Sequence, residues 1–103
     1  MTTKLTRAEV IARLKSAELQ LRARGVGALY LYGSYARDEA RDDSDIDVFV
    51  DLMPIEKRSL TSYLEPYFYL QQSFPGTEIG YGTRKNIAPI FLPHIEDSAV
   101  RVF

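Results

Sequence analysis

Apolar residues recur at helical spacing early in the chain. Val10, Leu14, Ala17 and Leu21 fall along one face of a 3.6-residue period and predict a helix over residues 6–24. Thr6 and Glu9 form a T-x-x-E capping box, and Leu5 and Val10 sit where a hydrophobic staple closes. Gly25 supplies a C-terminal stop. The pattern then changes. Residues 26–32, VGALYLY, are apolar or aromatic almost throughout, as in a strand covered on both faces. Gly33–Ser34 ends it. Residues 35–41 predict one or two helical turns, and Asp42, Asp43 and Ser44 a turn. Residues 45–52, DIDVFVDL, alternate as a second strand. About a dozen residues separate the two strands, a length that admits parallel or antiparallel pairing.

Pro54 ends the second strand. Ser59 to about Gln72 reads as a helix with Leu60, Leu64, Phe68 and Leu70 as its apolar positions. Pro66 lies inside it, which predicts a kink or a split. Pro75–Gly76 is a turn. Residues 77–83, TEIGYGT, alternate as a third strand, with Glu78, Gly80 and Gly82 on one face and Ile79, Tyr81 and Thr83 on the other. Residues 87–97 are apolar, are interrupted by Pro89 and Pro93, and predict a short closing helix. No internal repeat, low-complexity segment or linker stands out. The order α-β-(α)-β-α-β-α predicts an α/β (α+β) fold: a small mixed sheet flanked by helices. A length of 103 residues predicts one domain over residues 1–103.

Composition narrows the function. A net charge of -1 and a pI near 5.8 give no general drive toward nucleic acid or an anionic membrane, so no direct nucleic-acid binding is expected. With no cysteine, these residues hold neither disulfides nor thiolate metal sites. That fits a reducing, cytoplasmic setting. The start, MTTKLTRAEVIARL, lacks the apolar core of a signal peptide. No stretch reaches the roughly 20 apolar residues that span a bilayer. His94 is the only histidine, and it has none of the neighbours that make a histidine a ligand or switch.

The unusual stretch is residues 31–51, LYGSYARDEARDDSDIDVFVD. Residues i and i+2 of a strand share a face, so Asp45 and Asp47 project together while Ile46, Val48 and Val50 turn toward a core. Two carboxylates so close repel one another unless a cation sits between them. Magnesium suits that place, because it takes a few carboxylates together with phosphate oxygens. Gly33–Ser34 supplies a close backbone approach for phosphate at the start of a short helix. Arg37 and Arg41 are nearby cations for a triphosphate. Each piece has a plainer reading. Gly-Ser is a turn in most proteins, a lone Asp-x-Asp is most often a solvated strand end, and the arginines pair simply with Asp38, Glu39 or Asp42. Their combination points to metal-dependent phosphoryl-type transfer.

That combination resembles the nucleotidyltransferase superfamily that includes DNA polymerase beta and the aminoglycoside nucleotidyltransferases. More narrowly, it resembles the minimal nucleotidyltransferase (MNT) group, with its G-S-x-A-R-G-x-A…S-D-I-D-L-x-V pattern. Gly33, Ser34, Ala36, Arg37, Ala40, Ser44, Asp45, Ile46, Asp47 and Val50 match. The likeness is strongest over residues 29–51, and TRKNIAPIFLPHIEDSAVRVF looks like the family's ending. The resemblance implies a polymerase beta-like fold and a site of three carboxylates. Asp45 and Asp47 are the first two. The third normally precedes Thr-Arg by three residues on the next strand; Thr83–Arg84 are present, but Gly80 stands there. Glu78 is the only acid on that strand and takes the third place if the strand is bulged or shifted. The family's usual glycine after Arg37 is here Asp38.

The resemblance further implies transfer of a nucleoside monophosphate, AMP from ATP, with two Mg2+ ions. The metals belong to Asp45, Asp47 and Glu78, and the nucleotide phosphates to Gly33, Ser34, Arg37 and Ser44. Glu78, where it reaches, acts as general base. Many members of the group resemble antitoxins that adenylylate a tyrosine of a HEPN-domain ribonuclease toxin. A protein partner bringing the hydroxyl suits a chain with little room for an acceptor domain, and a homo-oligomer or a hetero-oligomer with the toxin follows. Two other readings stand beside it. One is a binding-only antitoxin or regulatory module, with Tyr67, Tyr69, Phe74 and Phe91 as candidates for a docking face, although core packing is the plainer reading for most of them. The other is an aminoglycoside-type transferase acting on a small molecule.

Overall fold

The start of the chain folds as its capping residues require. The Thr6 hydroxyl accepts from the Glu9 N–H at 3.1 Å, and the Glu9 carboxylate accepts from the Thr6 N–H at 3.1 Å. This reciprocal box satisfies two donors that a helix start leaves without partners. The computed structural model describes residues 5–41, 43–54, 59–84 and 92–103. The first helix is interrupted once: α1 runs Arg7–Ser16 and α2 Glu18–Ala23. At Ala17 the N–H is shared between the carbonyls of Arg13 and Leu14, both 3.1 Å away. The break leaves the buried stripe in phase. Val10, Leu14, Ala17 and Leu21 are all buried. Gly25 ends α2 at φ +94°, the left-handed geometry that glycine adopts at least cost.

Strand β1 is Val26–Tyr32, followed directly by the single turn of α3, Gly33–Ala36. The helical turn therefore begins two residues earlier than the pattern over residues 35–41 suggests, at the glycine itself. Strand β2 is Ile46–Leu52, α4 Leu60–Ser73, β3 Ile79–Thr83, α5 Leu92–Ser98 and β4 Val100–Arg101. The sheet order is β3-β2-β1-β4. β1 runs antiparallel to β2 and β4, and β2 runs parallel to β3. The sheet is thus mixed, and the pairing that chain length left open is antiparallel. β4 adds a strand the apolar pattern does not mark. Two residues are too few for a periodicity, and its pairing to β1 is decided by tertiary contact.

Helices α1, α2 and α4 pack on one face of the sheet. There Leu29, Leu31, Ile46, Val48, Val50 and Ile79 meet Val10, Leu14, Leu21, Leu70 and Phe74. In α4 the buried positions are Pro66 and Leu70, with Phe74 just beyond the end. That is an i, i+4 stripe. Leu60 and Phe68, two of the apolar positions in the sequence pattern, are 74% and 53% exposed. The helix runs unsplit through Pro66. Phe74 is a core residue, not part of a docking face, and Tyr67 and Tyr69 pack against the core. Phe91 lies outside the described residues, as do 85–90 and the His94 side chain.

The opposite sheet face is aromatic and polar, not uniformly apolar. Tyr30 stacks on Phe49 with ring centroids 4.8 Å apart. Arg84 lies over both rings and forks onto Asp51, with Nε–Oδ1 2.9 Å and Nη2–Oδ2 3.3 Å. β1 is therefore buried at Leu29 and Leu31 on one side and only half-covered at Tyr30 and Tyr32 on the other. No helix among the described residues is long and apolar enough to cross a membrane.

Candidate active site

Asp45 and Asp47 stand at the start of β2, the strand flanked by β1 and β3. Alternation sends Ile46, Val48 and Val50 into the core and turns both carboxylates to the other face. Asp47 is opposite Tyr32 on β1 and Gly80 on β3. It is half-buried, whereas Asp45 is exposed.

Two glycines make room for Asp47. Gly33 has φ +76°, and a Cβ built there would collide with Asp47 Oδ2. A Cβ on Gly80 would lie 2.5 Å from Asp47 Oδ1. Each carboxylate oxygen is thus flanked by backbone that carries no side chain, one on the β1–α3 side and one on the β3 side. Gly33 is needed twice, for its left-handed φ and for this close approach. Gly80 is needed for the approach alone.

The electrostatics follow from this placement. Burial pushes the Asp47 carboxyl above the usual carboxylate range. The Asp45 charge adds to the rise, and Arg37 partly opposes it. Burial, and then the Asp47 charge, push the Tyr32 phenol up as well. The paired acids carry a negative charge that the protein only partly neutralises, which fits a cation completing its shell with phosphate oxygens and water. Among the described residues no three His, Cys, Asp or Glu side chains come together closely enough to hold a metal ion.

The other predicted residues divide. Gly33 and Ser34 open α3, whose N-cap, Tyr32, offers no side-chain hydrogen bond. Arg37 caps the end of α3 and pairs loosely with Glu39 at 3.3 Å, close enough to Asp47 to act on its charge. Ser44 is engaged locally: its hydroxyl accepts from the Arg41 N–H at 2.7 Å, and its N–H donates to the Arg41 carbonyl at 3.0 Å. That turn delivers the chain into Asp45. Glu78 is exposed and precedes β3 by one residue. Its carbonyl accepts from the Ile46 N–H at 2.9 Å, which sets it level with Asp45. Gly80, not Glu78, is the neighbour of Asp47.

Glu78 and Asp45 line a pocket of about 610 Å³ at the N-terminal ends of β2 and β3, with Asp43, Ser44, Tyr67 and Gln71. Sequence reasoning missed Tyr32, Asp43, Tyr67 and Gln71 as site neighbours. Tyr32 carries no signal beyond preceding Gly33, because its place depends on the β1–β2 register. For Gln71 one sign was available: it is a polar residue beside the buried Leu70 in an apolar helix.

A strand ending in Gly-Ser, a paired carboxylate on the adjacent strand and a small mixed sheet define a class of nucleotide-transferring domain. The family described as the nucleotidyltransferase domain matches residues 11–100, and the chain belongs to it. It is 40% identical over 68 residues, 65% of this chain and 67% of the other, to the protein adenylyltransferase MntA of Thermococcus cleftensis. A solved structure described as a "putative minimal nucleotidyltransferase" superposes with a TM-score of 0.75 at 27% identity, covering 96% of this chain and 98% of that one. A toxin–antitoxin crystal structure with AMP-PNP shares the fold, with a TM-score of 0.67 at 17% identity over 88% of this chain and 72% of that one.

Proposed function

We propose that this nucleotidyltransferase moves AMP from ATP onto a hydroxyl of a protein partner, and that the partner is a HEPN-type ribonuclease toxin which it neutralises as an antitoxin. The observation that carries the reading is Asp47, seated between Gly33 and Gly80 with Asp45 two residues before it. The likeness to a protein adenylyltransferase supports the acceptor class, and the toxin–antitoxin neighbour agrees with the partner. In this reading Asp45 and Asp47 hold Mg2+, which supplies charge neutralisation at the phosphates. Gly33 and Ser34 receive the β- and γ-phosphates, and Arg37 adds positive charge on that flank. The acceptor oxygen attacks the α-phosphorus and forms the new P–O bond. The bond from that phosphorus to the β-bridging oxygen breaks, and pyrophosphate leaves. Glu78 takes the acceptor's proton and releases it to solvent.

The test is direct. The protein is incubated with ATP, Mg2+ and the protein encoded beside it, and the partner is weighed by intact mass spectrometry. The partner should gain AMP with wild type and gain none with Asp47→Asn. Neutralisation without any mass change, equally in both, would overturn the transfer reading. It would favour a binding-only antitoxin, the second reading, whose observation is Gly80 lying opposite Asp47 where the family's pattern sets an acid.

A further inference from the structure

We infer that the pocket beside Asp45 is the acceptor side of the site, and that it selects a hydroxyl-bearing peptide segment flanked by lysine or arginine. This rests on the transferase reading above and names the class of segment the site accepts.

The argument begins with direction. Asp47 Oδ2 faces Gly33 and Asp47 Oδ1 faces Gly80, so the α3 side and the β3 side are opposite flanks of the same carboxylate. The transferred phosphoryl group has its entering and leaving oxygens roughly in line. Phosphates held at Gly33–Ser34 put the leaving pyrophosphate on the α3 flank, and the entering hydroxyl then comes from the β3 flank. The pocket opens on that side and shares Asp45 with the carboxylate pair. Whatever fills it lies against Asp45, one member of that pair.

The lining then states the chemistry. About 610 Å³ lies within the roughly 300–1,000 Å³ of ordinary ligand pockets. Its charged lining residues among those described are Asp43, Asp45 and Glu78, with no lysine, arginine or histidine beside them. A triphosphate there would meet like charge from all three. A cationic segment would be drawn in, and complementary charge of this kind acts on selection and encounter. The wall is also held in place. Gln71 donates to the Thr77 carbonyl at 3.2 Å and accepts from the Ile79 N–H at 3.1 Å. One amide thus bridges the backbone on either side of Glu78 at the rim. The half-buried Tyr67 offers an aromatic surface on the same helix.

Two capped pentapeptides test this, each a tyrosine with two flanking residues on either side, all lysine in one and all glutamate in the other. Direct binding is followed by fluorescence anisotropy of labelled peptide, and AMP transfer by mass spectrometry, in parallel with transfer to the neighbouring protein. Wild type should bind the lysine peptide at least tenfold more tightly than the glutamate peptide. Asp43→Lys, at an exposed position, should cut that ratio at least threefold while the KM for ATP stays within twofold. Equal binding of the two peptides, or a ratio unmoved by Asp43→Lys, would overturn the inference even where transfer to the neighbouring protein proceeds. Loss of all transfer with the charge preference intact would instead overturn the transferase reading and leave a cation-selective docking pocket.

Discussion

Asp47 is the residue on which the site turns. It is held ionisable in a place that resists ionisation, between two glycines, beside a second carboxylate and under a half-buried tyrosine. Gly33→Ala and Gly80→Ala should each displace its carboxylate, because a Cβ cannot share that space. We expect at least a tenfold loss of kcat for each, with Gly33→Ala the worse because its left-handed φ is strained as well; steady-state kinetics would check it. The charge also leaves a signature in stability. A raised native pKa means the folded chain holds the Asp47 proton more tightly than the unfolded chain does. Stability therefore falls as pH rises from the unfolded carboxyl's pKa through the raised native one, and stays reduced above it. Asp47→Asn lacks that loss. Thermal melts across the acid range should show its Tm gaining on the wild type with rising pH; a constant difference would count against a raised native pKa.

At the scale of elements, local signals and tertiary demands separate cleanly. The Thr6–Glu9 box was legible because every atom it needs lies within four residues. Thr6→Ala should lower stability by about 1 kcal/mol, measured by urea unfolding. The turn after α3 is less favourable. Asp38 is the one non-glycine with positive φ among the described residues, at +58°, at the position where the resembling family keeps glycine. Asp38→Gly should raise stability by up to about 1 kcal/mol, since a left-handed conformation costs an L-residue on the order of 1–2 kcal/mol. Helix α4 was legible in extent but not in facing. Leu60 and Phe68 are as apolar as Leu70, yet the sheet takes Pro66, Leu70 and Phe74. Hydrophobicity names candidates for burial, and only the position of the neighbouring strand selects among them.

At the scale of the molecule, the order β3-β2-β1-β4 places the acid-bearing strand between its two partners. β1 delivers the Gly33–Ser34 corner to one flank of Asp47, and β3 delivers Gly80 to the other. Binding at such a junction should stabilise the whole fold through linkage. Mg2+ with a non-hydrolysable ATP analogue should raise the wild-type Tm by several degrees and leave Asp45→Asn and Asp47→Asn unmoved in differential scanning fluorimetry. A shift of equal size in the variants would move the nucleotide site elsewhere.

The sequence by itself determined the parts that depend on near neighbours. These are the capped first helix, the apolar strands, the Gly33–Ser34 corner and the i, i+2 pairing of Asp45 with Asp47, all set by periods of 2 and 3.6 and by backbone preference. Only the tertiary structure decided what depends on register. It paired β1 antiparallel to β2, added β4 at the edge and set Tyr32 and Gly80 against Asp47. It also set Glu78 level with Asp45 and not with Asp47. The reason is physical: a strand's own residues fix which face each side chain takes, but the level at which it meets its neighbour is fixed by contacts that no single segment contains.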